Sequence, residues 1–249
     1  DYDHADMAHV ALMPCHLPAA RIDAIDASAA LAMPGVIDVV TGAELAAAID
    51  PLMNGLDTPN VRRYPLAVGQ VRYAAEWVCA VIAESRAIAE DAIEKIRLET
   101  TSLPFVLDPE QALRDDSPHV HPDHNSNILL DKKFVWGPVD DDFAAADHQL
   151  SFCVTWGRNS TVPIETFGVV AEWNAWDQML DIRASVQMPK YADQIARALR
   201  LAGNQVRVHY DIDVGGSYGV KRGIKHAVLI GYLARKLHRP IRLIEDRLE

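Results

Sequence analysis

The sequence has too few cysteines, spaced too widely, for a disulfide framework or a cysteine metal site. Its three cysteines, Cys15, Cys79 and Cys153, are odd in number and form no CxxC pair. Such sparse use of cysteine is typical of a reducing compartment, so we expect a cytoplasmic location. The chain also lacks a signal peptide and an uninterrupted apolar run of about 18 residues, so no membrane span is predicted.

An excess of positive charge is also missing. The 24 Lys and Arg residues are outnumbered by 35 Asp and Glu residues, which gives a net charge of −11 at pH 7. A chain of this charge repels the phosphates of DNA and RNA, so no nucleic-acid partner is expected. Because GxSxG, HExxH and Cys–His nucleophile motifs are lacking too, no hydrolase function is predicted.

Residues 1–115 carry an alternation of strand and helix patterns. The apolar run over residues 78–83 predicts a strand that is buried on both faces. Ser85 then precedes apolar residues at helical spacing, which predicts a capped helix over residues 86–94. Further strands are predicted over residues 7–13, 36–41 and 96–100. This order indicates a mixed α/β domain.

Residues 116–148 are rich in Pro, Asp and His and have little periodicity, so they are predicted to be a linker before a second domain at 149–249. Turn-forming residues at 174–177 predict a hairpin between strands at 168–173 and 179–185. An amphipathic helix is predicted over residues 191–201, with Gly203 at the position after its C-cap. A second helix is predicted over 225–237, followed by a strand at 241–244.

A glycine-rich loop is the most informative segment. Gly215, Gly216 and Gly219 fill three of five consecutive positions, between an apolar run at 206–212 and a helical pattern. A strand, a glycine loop and a helix bring backbone N–H groups close to an anionic ligand. Because Ser217 breaks GxGxxG and the Walker A Lys-Ser/Thr pair is absent, the loop predicts a cradle for a ligand other than NAD or ATP.

Charged residues surround this loop. Lys221, Arg222 and Lys225 lie at a predicted helix N-terminus, where cations are unfavourable. They indicate either a nearby anion, which would be the cofactor or the substrate, or a basic surface turn. Asp213, like Asp211 before it, serves acid–base chemistry or bonds local N–H groups, and we favour the local bonds. Glu165 is either catalytic or a side chain that holds a loop by a hydrogen bond, and we favour the second role.

Two polar clusters in the predicted linker are candidate cation sites. His119, His121 and His124 have no spacing of a closed zinc site, and Pro122 prevents a regular helix. The acidic run at 140–142 is more typical of a solvated turn than of a metal site. We therefore expect both clusters to be solvated loops, and no metal ligand is predicted in the chain.

Four segments, in order along almost the whole chain, match a family. They are residues 21–42, residues 71–92, residues 162–171 with Pro-Ile-Glu-Thr, and residues 213–247 with Val-Gly-Gly-Ser-Tyr-Gly. Together they resemble the large molybdopterin-binding subunit of the molybdenum hydroxylases, which include xanthine dehydrogenase, aldehyde oxidase and, most similar here, aerobic carbon monoxide dehydrogenase. The resemblance implies an α+β fold, with an α/β hammerhead domain over 1–115 and the first part of a molybdopterin-binding domain over 149–249.

The resemblance also implies a reaction and a set of partners. The family hydroxylates a carbon centre of an aldehyde, N-heterocycle or related small molecule, with water as the oxygen source. The implied cofactor is molybdenum on molybdopterin, in its cytosine dinucleotide form, whose sulfur atoms hold the metal. Electrons pass to a 2Fe–2S small subunit and an FAD-binding medium subunit, and these form a heterotrimer with the complete large subunit.

Residue roles follow from the same resemblance. Cofactor contacts are implied for Gly215, Gly216, Ser217, Tyr218 and Gly219, and for Asn159, which lies near the position of the family's glutamine. Arg222 occupies a substrate-contacting position that is acidic in xanthine-type enzymes, which favours an anionic or acceptor-rich substrate. The general-base glutamate is expected beyond Glu249, so no catalytic residue is predicted in this chain.

Departures from the family pattern leave a second interpretation open. The usual Gly-Glu-Pro is Ala75-Glu76-Trp77 here, and Gly-Gly-Gly-Phe-Gly is Gly-Gly-Ser-Tyr-Gly. The chain begins without Met and stops directly after a predicted strand, which indicates a piece of a longer polypeptide. The alternative is a non-catalytic hammerhead module for interaction or assembly. A nucleotide enzyme with a phosphate cradle is a third, less favoured option.

Overall fold

The computed structural model describes residues 2–53, 61–157, 162–210 and 213–247. The strands in these ranges are β1 (Ala8–Cys15), β2 (Ala20–Asp26), β3 (Val36–Thr41), β4 (Gln70–Val71), β5 (Glu76–Ala83), β6 (Arg97–Ser102), β7 (Gly168–Asn174), β8 (Met179–Ala184), β9 (Val206–His209) and β10 (Ile241–Ile244). The α-helices are α1 (Ser28–Leu31), α2 (Gly42–Ala48), α3 (Arg86–Ile93), α4 (Pro109–Ala112), α5 (Val139–Ala144), α6 (Tyr191–Ala198) and α7 (Lys225–Leu237), and short 3-10 helices lie at Gly203–Gln205 and Val220–Arg222.

One mixed sheet joins strands from both ends of the chain. Its seven strands have the order β3-β5-β1-β10-β7-β8-β9, and a separate three-stranded sheet has the order β4-β2-β6. Strand β1 runs antiparallel to β5 and parallel to β10, with Ala8 opposite Ile241. The mixed α/β class expected from the sequence is confirmed, and the early and late strands share one sheet.

Strand β5 is buried on both faces, as predicted from its apolar run. Seven of its eight residues are buried. Ala80 and Ile82 belong to the larger core, which includes the buried face of α7, whereas Val81 and Ala83 belong to the smaller core beside α3. Alternate side chains of a strand point to opposite faces, so β5 divides the two cores.

The helix cap and the hairpin turn that were predicted from local sequence are both present in the structure. The Ser85 hydroxyl accepts a hydrogen bond from the Ile88 N–H at 3.3 Å, and this caps α3 as predicted. Strands β7 and β8 form the predicted hairpin, in which the Asn174 side chain accepts a hydrogen bond from the Trp176 N–H at 3.0 Å. The predicted helix at 225–237 is α7, and it ends with His238 in a left-handed conformation.

The predicted end of the second-domain helix was wrong. Helix α6 stops at Ala198, and Arg200 takes the left-handed conformation at φ 56°. The Arg200 guanidinium donates to the Asp50 carboxylate at 2.7 Å and to the Ile49 carbonyl at 3.2 Å. These tertiary bonds stabilise a non-glycine residue in the turn, so Gly203 is left to begin a 3-10 helix instead.

Helix α7 connects the early and late parts of the sheet. The Lys236 ammonium lies 2.6 Å from carboxylate oxygens of both Asp38 and Glu44, and the Tyr232 hydroxyl donates to Glu44 at 3.0 Å. This cluster fixes α7 against β3 and α2. Because the glycine-rich loop leads directly into α7, the cluster also helps to position that loop. None of the helices in the described part of the chain has the length and apolar character that a membrane crossing requires.

Candidate functional site

The glycine-rich loop after β9 has a strongly turned backbone. Gly216 and Gly219 have φ values of 89° and 111°, and Tyr218 between them has φ 52°. A non-glycine residue in this region costs of order 1 kcal/mol, so the surroundings must hold Tyr218 in place. The Tyr218 side chain is mostly exposed, at 72%. The backbone of the loop, and not the packing of that ring, therefore defines its shape.

Glu165 holds one side of the loop. Its Oε2 accepts a hydrogen bond from the Gly215 N–H at 2.7 Å. A Cβ at Gly215 would lie 2.7 Å from the same oxygen and 2.8 Å from the Glu165 Cβ, so only glycine fits here. The hydrogen-bonding role favoured for Glu165 in the sequence is confirmed.

Lys221 forms the second half of this support. Its side chain is fully buried, and its Nζ pairs with Glu165 Oε1 at 2.5 Å. Neither alternative given for Lys221 is correct, because it is not on a surface turn and its anion is a protein carboxylate. A buried ammonium is stable only with such a partner. The pair ties the loop to the segment before β7.

A polar contact holds the centre of the loop. The buried Ser217 hydroxyl donates to the Gln187 side-chain oxygen at 2.6 Å and accepts from the Lys221 N–H at 3.2 Å. The Gln187 N–H in turn donates to the Lys221 carbonyl at 3.2 Å. Serine at this position therefore supplies a hydrogen bond that a third glycine would lack.

The support keeps Glu165 ionised. Burial on its own raises the pKa of Glu165. Hydrogen bonds from the Lys221 ammonium, the Gly215 N–H and the Ser185 hydroxyl outweigh that effect and lower the pKa below its usual value of 4.5. The carboxylate consequently remains charged and keeps its role as an acceptor at neutral pH.

Three backbone donors of the loop have no acceptor among the described residues. Gly216 donates to the Val214 carbonyl at 2.9 Å and Val220 donates to the Ser217 carbonyl at 3.2 Å. Among the hydrogen bonds of the described ranges, none uses the N–H of Ser217, Tyr218 or Gly219. Backbone donors of a well-ordered loop normally have partners. Successive N–H groups in such a turn suit the oxygen atoms of an anionic or metal-bound group, so the loop fits a molybdenum cofactor.

A cavity of about 1060 Å³ adjoins the loop. It lies between residues of the early and late parts of the chain. Gly219 and Arg222 contribute from the loop, and Tyr64, Glu76 and His121 contribute from earlier segments. The other charged side chains in the wall are Arg62, Arg63, Arg72, Asp123 and Lys225. Arg222 is exposed at the cavity wall, next to the loop.

Glu76 and Arg72 meet at this wall. The Arg72 N–H donates to Glu76 Oε2 at 2.6 Å. Burial raises the pKa of Glu76, and the contacts with Arg72 and Lys225 reduce the rise without cancelling it. The Lys225 ammonium lies over the Trp77 ring at 3.6 Å from its centroid. Trp77, which departs from the family's proline, thus serves as a platform for a cation.

The remaining residues that were considered as site candidates in the sequence lie in different parts of the chain. Asn159 and Asp211 lie outside the described residues. Asp213 is exposed, and His121 lines the cavity without its two neighbours His119 and His124. Within the described ranges, no group of three or more His, Cys, Asp or Glu side chains is arranged to hold a metal ion. The sequence did not predict Arg62, Arg63 and Arg72 as site residues, because only the fold brings them to the cavity beside the loop.

Two family models match consecutive parts of the chain. The model for the aldehyde oxidase and xanthine dehydrogenase a/b hammerhead domain matches residues 1–104. The model for the molybdopterin cofactor-binding domain matches residues 120–249, more than half of the chain. The α/β hammerhead and molybdopterin-binding architecture inferred from the sequence is therefore confirmed.

Named relatives agree with these matches. The nicotine 6-hydroxylase large subunit of Paenarthrobacter nicotinovorans is 34% identical over 92% of this chain and 29% of its own length. The carbon monoxide dehydrogenase large chain of Hydrogenophaga pseudoflava is 31% identical over 98% of this chain and 32% of its own length. The crystal structure of quinoline 2-oxidoreductase from Pseudomonas putida 86 superposes with a TM-score of 0.89, at 32% identity, over 99% of this chain and 32% of that one.

This chain thus spans about a third of the length of these relatives. Both domain models match in the expected order, and the glycine-rich loop lies within the range of the molybdopterin cofactor-binding model. The chain belongs to the molybdenum hydroxylase family of xanthine dehydrogenase and aldehyde oxidase.

Proposed function

We propose that this chain forms part of the large subunit of a molybdenum-dependent hydroxylase. In this proposal residues 1–115 are the hammerhead domain, 116–148 the linker, and 149–249 the first part of the cofactor-binding domain. The complete enzyme hydroxylates a carbon centre of an aldehyde, N-heterocycle or related small molecule, with water as the oxygen source. The observation that carries the proposal is a loop held by Glu165 and Lys221 beside a cavity, with three N–H groups that have no partner among the described residues.

The chain contributes binding and positioning. Gly215 and Gly216 allow the backbone to approach closely, and the N–H groups of Ser217, Tyr218 and Gly219 donate hydrogen bonds to the cofactor. Asn159 is proposed as a further side-chain contact. When bound, the molybdenum cofactor supplies the redox chemistry of the hydroxylation. Glu165 and Lys221 act through the loop, because they fix the direction of its donors.

Substrate binding is assigned to the cavity, with Arg222 at its wall. A cavity of about 1060 Å³ is large enough for a bicyclic heterocycle. The general-base glutamate is proposed to lie in the remainder of the large subunit, beyond Glu249, so proton transfer from the reacting group is not assigned to this chain.

The partners are proposed from the family. The names of two relatives, a "large subunit" and a "large chain", describe proteins of several subunits. We assign an FAD-binding medium subunit and a 2Fe–2S small subunit as the electron acceptors in a cytoplasmic heterotrimer. The cofactor is assigned as the cytosine dinucleotide form of molybdopterin.

Metal content of the native complex tests the proposal. Elemental mass spectrometry on the complex purified from its own host is expected to give about one molybdenum per chain, with iron and flavin in the same fraction. A complex from a host that makes the cofactor, yet without molybdenum, would instead indicate the non-catalytic assembly module.

A loop variant sharpens this test. Gly216→Ala places a Cβ at φ 89°, 3.1 Å from the Tyr218 ring, so we expect molybdenum content to fall severalfold. Gly69→Ala is the matched control, because Gly69 also has positive φ, at 68°, but lies in the hammerhead part with nothing within 4 Å. Equal molybdenum contents in the two variants would contradict the assignment of the loop.

A further inference from the structure

The charge of the cavity beside the loop is opposite to that of the whole chain. Among the described residues of its wall, five side chains are basic and two are acidic. The basic ones are Arg62, Arg63, Arg72, Arg222 and Lys225, and the acidic ones are Glu76 and Asp123. The chain as a whole has a net charge of −11. Clustering of cations in an acidic protein costs electrostatic energy unless an anion offsets it, so the cavity is suited to an anion.

Several arginines elsewhere in the chain are paired with carboxylates. Arg21, Arg86, Arg97, Arg114 and Arg200 each form an ion pair with a carboxylate. Among the ion pairs of the described residues, none involves Arg62, Arg63, Arg72 or Arg222. Within the described ranges the four arginines at the cavity therefore have no carboxylate that pairs with them, and a bound anion would supply one.

Arg72 gives the sharpest sign of a missing partner. Its Nε is buried, and it has no hydrogen-bond partner in the described part of the chain. Its NH1 donates only to the Gln70 carbonyl, at 3.3 Å. A buried donor of a charged group without an acceptor is costly, and an anion in the cavity would offset the charge of this guanidinium.

The positive charge of the wall also affects the pKa of His121. Burial lowers the pKa of His121, and the charges of Arg72 and Arg63 lower it further. His121 therefore stays neutral at pH 7 and adds no positive charge of its own. The nearby Asp123 has the opposite effect on this pKa, but it does not outweigh the two arginines.

The remaining wall determines what kind of anion fits. Tyr64 and Tyr73 contribute aromatic surface, and Leu66 and Met188 contribute aliphatic surface. Arginine recognises carboxylates through two parallel N–H bonds, whereas aromatic walls favour a flat ring. We propose that this cavity binds an aromatic carboxylate as the substrate, with Arg72 and Arg222 contacting its carboxylate group. This inference rests on the proposed function and specifies its substrate class.

Paired probes test the inference directly. Nicotinate and nicotinamide have the same ring and nearly the same size, but only nicotinate is an anion. Calorimetric titration of the native complex is expected to show that nicotinate binds about tenfold or more tightly than nicotinamide. The preference should shrink when the salt concentration rises, because salt screens the arginines. Equal affinities for the two probes would overturn the proposal.

Variants identify the residues responsible. Arg72→Gln and Arg222→Gln are each expected to reduce the preference for nicotinate about three- to tenfold, while molybdenum content stays unchanged. Arg97→Gln, on β6 outside the cavity, is the matched control, because Arg97 is exposed and paired with Glu99 at 2.9 Å. It should leave the preference intact.

Molybdenum content separates this inference from the proposed function. If Arg72→Gln and Arg222→Gln lose molybdenum but keep the full preference for nicotinate, the arginines serve the cofactor and the inference is wrong. If the native complex lacks molybdenum but prefers nicotinate, the anion site stands and the hydroxylase proposal fails.

Discussion

The two sides of the glycine-rich loop carry cations that differ in burial and in pairing. On the supporting side, Lys221 is completely buried and paired with Glu165. On the cavity side, the very next residue, Arg222, is exposed, and the ion pairs of the described residues do not include it. Burial of a charge requires a partner, and exposure does not. Two adjacent basic residues therefore differ in their surroundings, since one is buried in the support of the loop and the other is exposed at the cavity wall.

Removal of the buried cation is expected to give the largest effect. Lys221→Met leaves Glu165 without its partner, and loss of one member of a buried pair costs about 3–5 kcal/mol. The Glu165 side chain is 36% exposed, so water compensates in part and we expect a loss of about 2–3 kcal/mol. Denaturant unfolding of the purified protein measures this change.

Arg222→Met is the matched control for that experiment. It removes a neighbouring cation of similar length from an exposed position, so the free energy of unfolding should change by less than about 0.5 kcal/mol. A comparable loss in both variants would show that the two cations are not used differently.

A smaller effect is expected from the glycine that touches Glu165. Gly215→Ala adds a Cβ 2.7 Å from the Glu165 carboxylate, so the carboxylate or the loop must move, at a cost of about 1–3 kcal/mol. Gly223→Ala, on the cavity side, adds a Cβ with nothing within 4 Å and should be nearly neutral. Thermal unfolding of the two variants should therefore differ clearly, and similar melting temperatures would contradict the close approach.

The last comparison concerns the pH dependence of stability, because the pKa values of two carboxylates shift in opposite directions. The pKa of Glu165 is lowered in the folded state, so its stabilisation is present above pH 4.5 and is lost as pH falls through the lowered value. The pKa of Glu76 is raised, so its favourable contribution exists below pH 4.5 and is lost as pH rises through the raised value.

The corresponding glutamine variants should consequently have opposite effects at pH 7. Glu165→Gln should lower the free energy of unfolding by an amount comparable to that of Lys221→Met, because the buried Lys221 ammonium loses its carboxylate. It should also flatten the decline of stability in acid. Glu76→Gln should raise the free energy of unfolding slightly, because the amide can still accept the Arg72 N–H bond without the cost of a buried charge. Urea unfolding between about pH 4 and pH 7 checks both signs. A loss of stability at pH 7 in both variants would refute the contrast.

Features that depend on neighbouring residues could be predicted from the sequence. The cap at Ser85, the hairpin after Asn174 and the buried run of β5 all follow from local patterns. The end of α6 could not be predicted in this way, because Asp50 stabilises the conformation of Arg200 from 150 positions away along the chain.

The site was predictable only in part for the same reason. The loop and its glycines stood out in the sequence, and Glu165 was identified as a residue that holds a loop. Its pairing with Lys221 spans 56 positions, so the role of the buried ammonium emerged only from the fold. The basic wall of the cavity likewise joins Arg72 to Arg222, and no local pattern connects them.

The parallel pairing of β1 with β10 has a consequence for synthesis of the protein. The two strands lie about 230 residues apart, so at about 5–20 residues per second the ribosome delivers β10 roughly 10 to 45 s after β1. During that interval β1 can pair with β5 on one side only, and its other edge offers unpaired backbone groups to any neighbouring strand. The nascent chain therefore exposes this edge of β1 to incorrect strand pairing until β10 emerges.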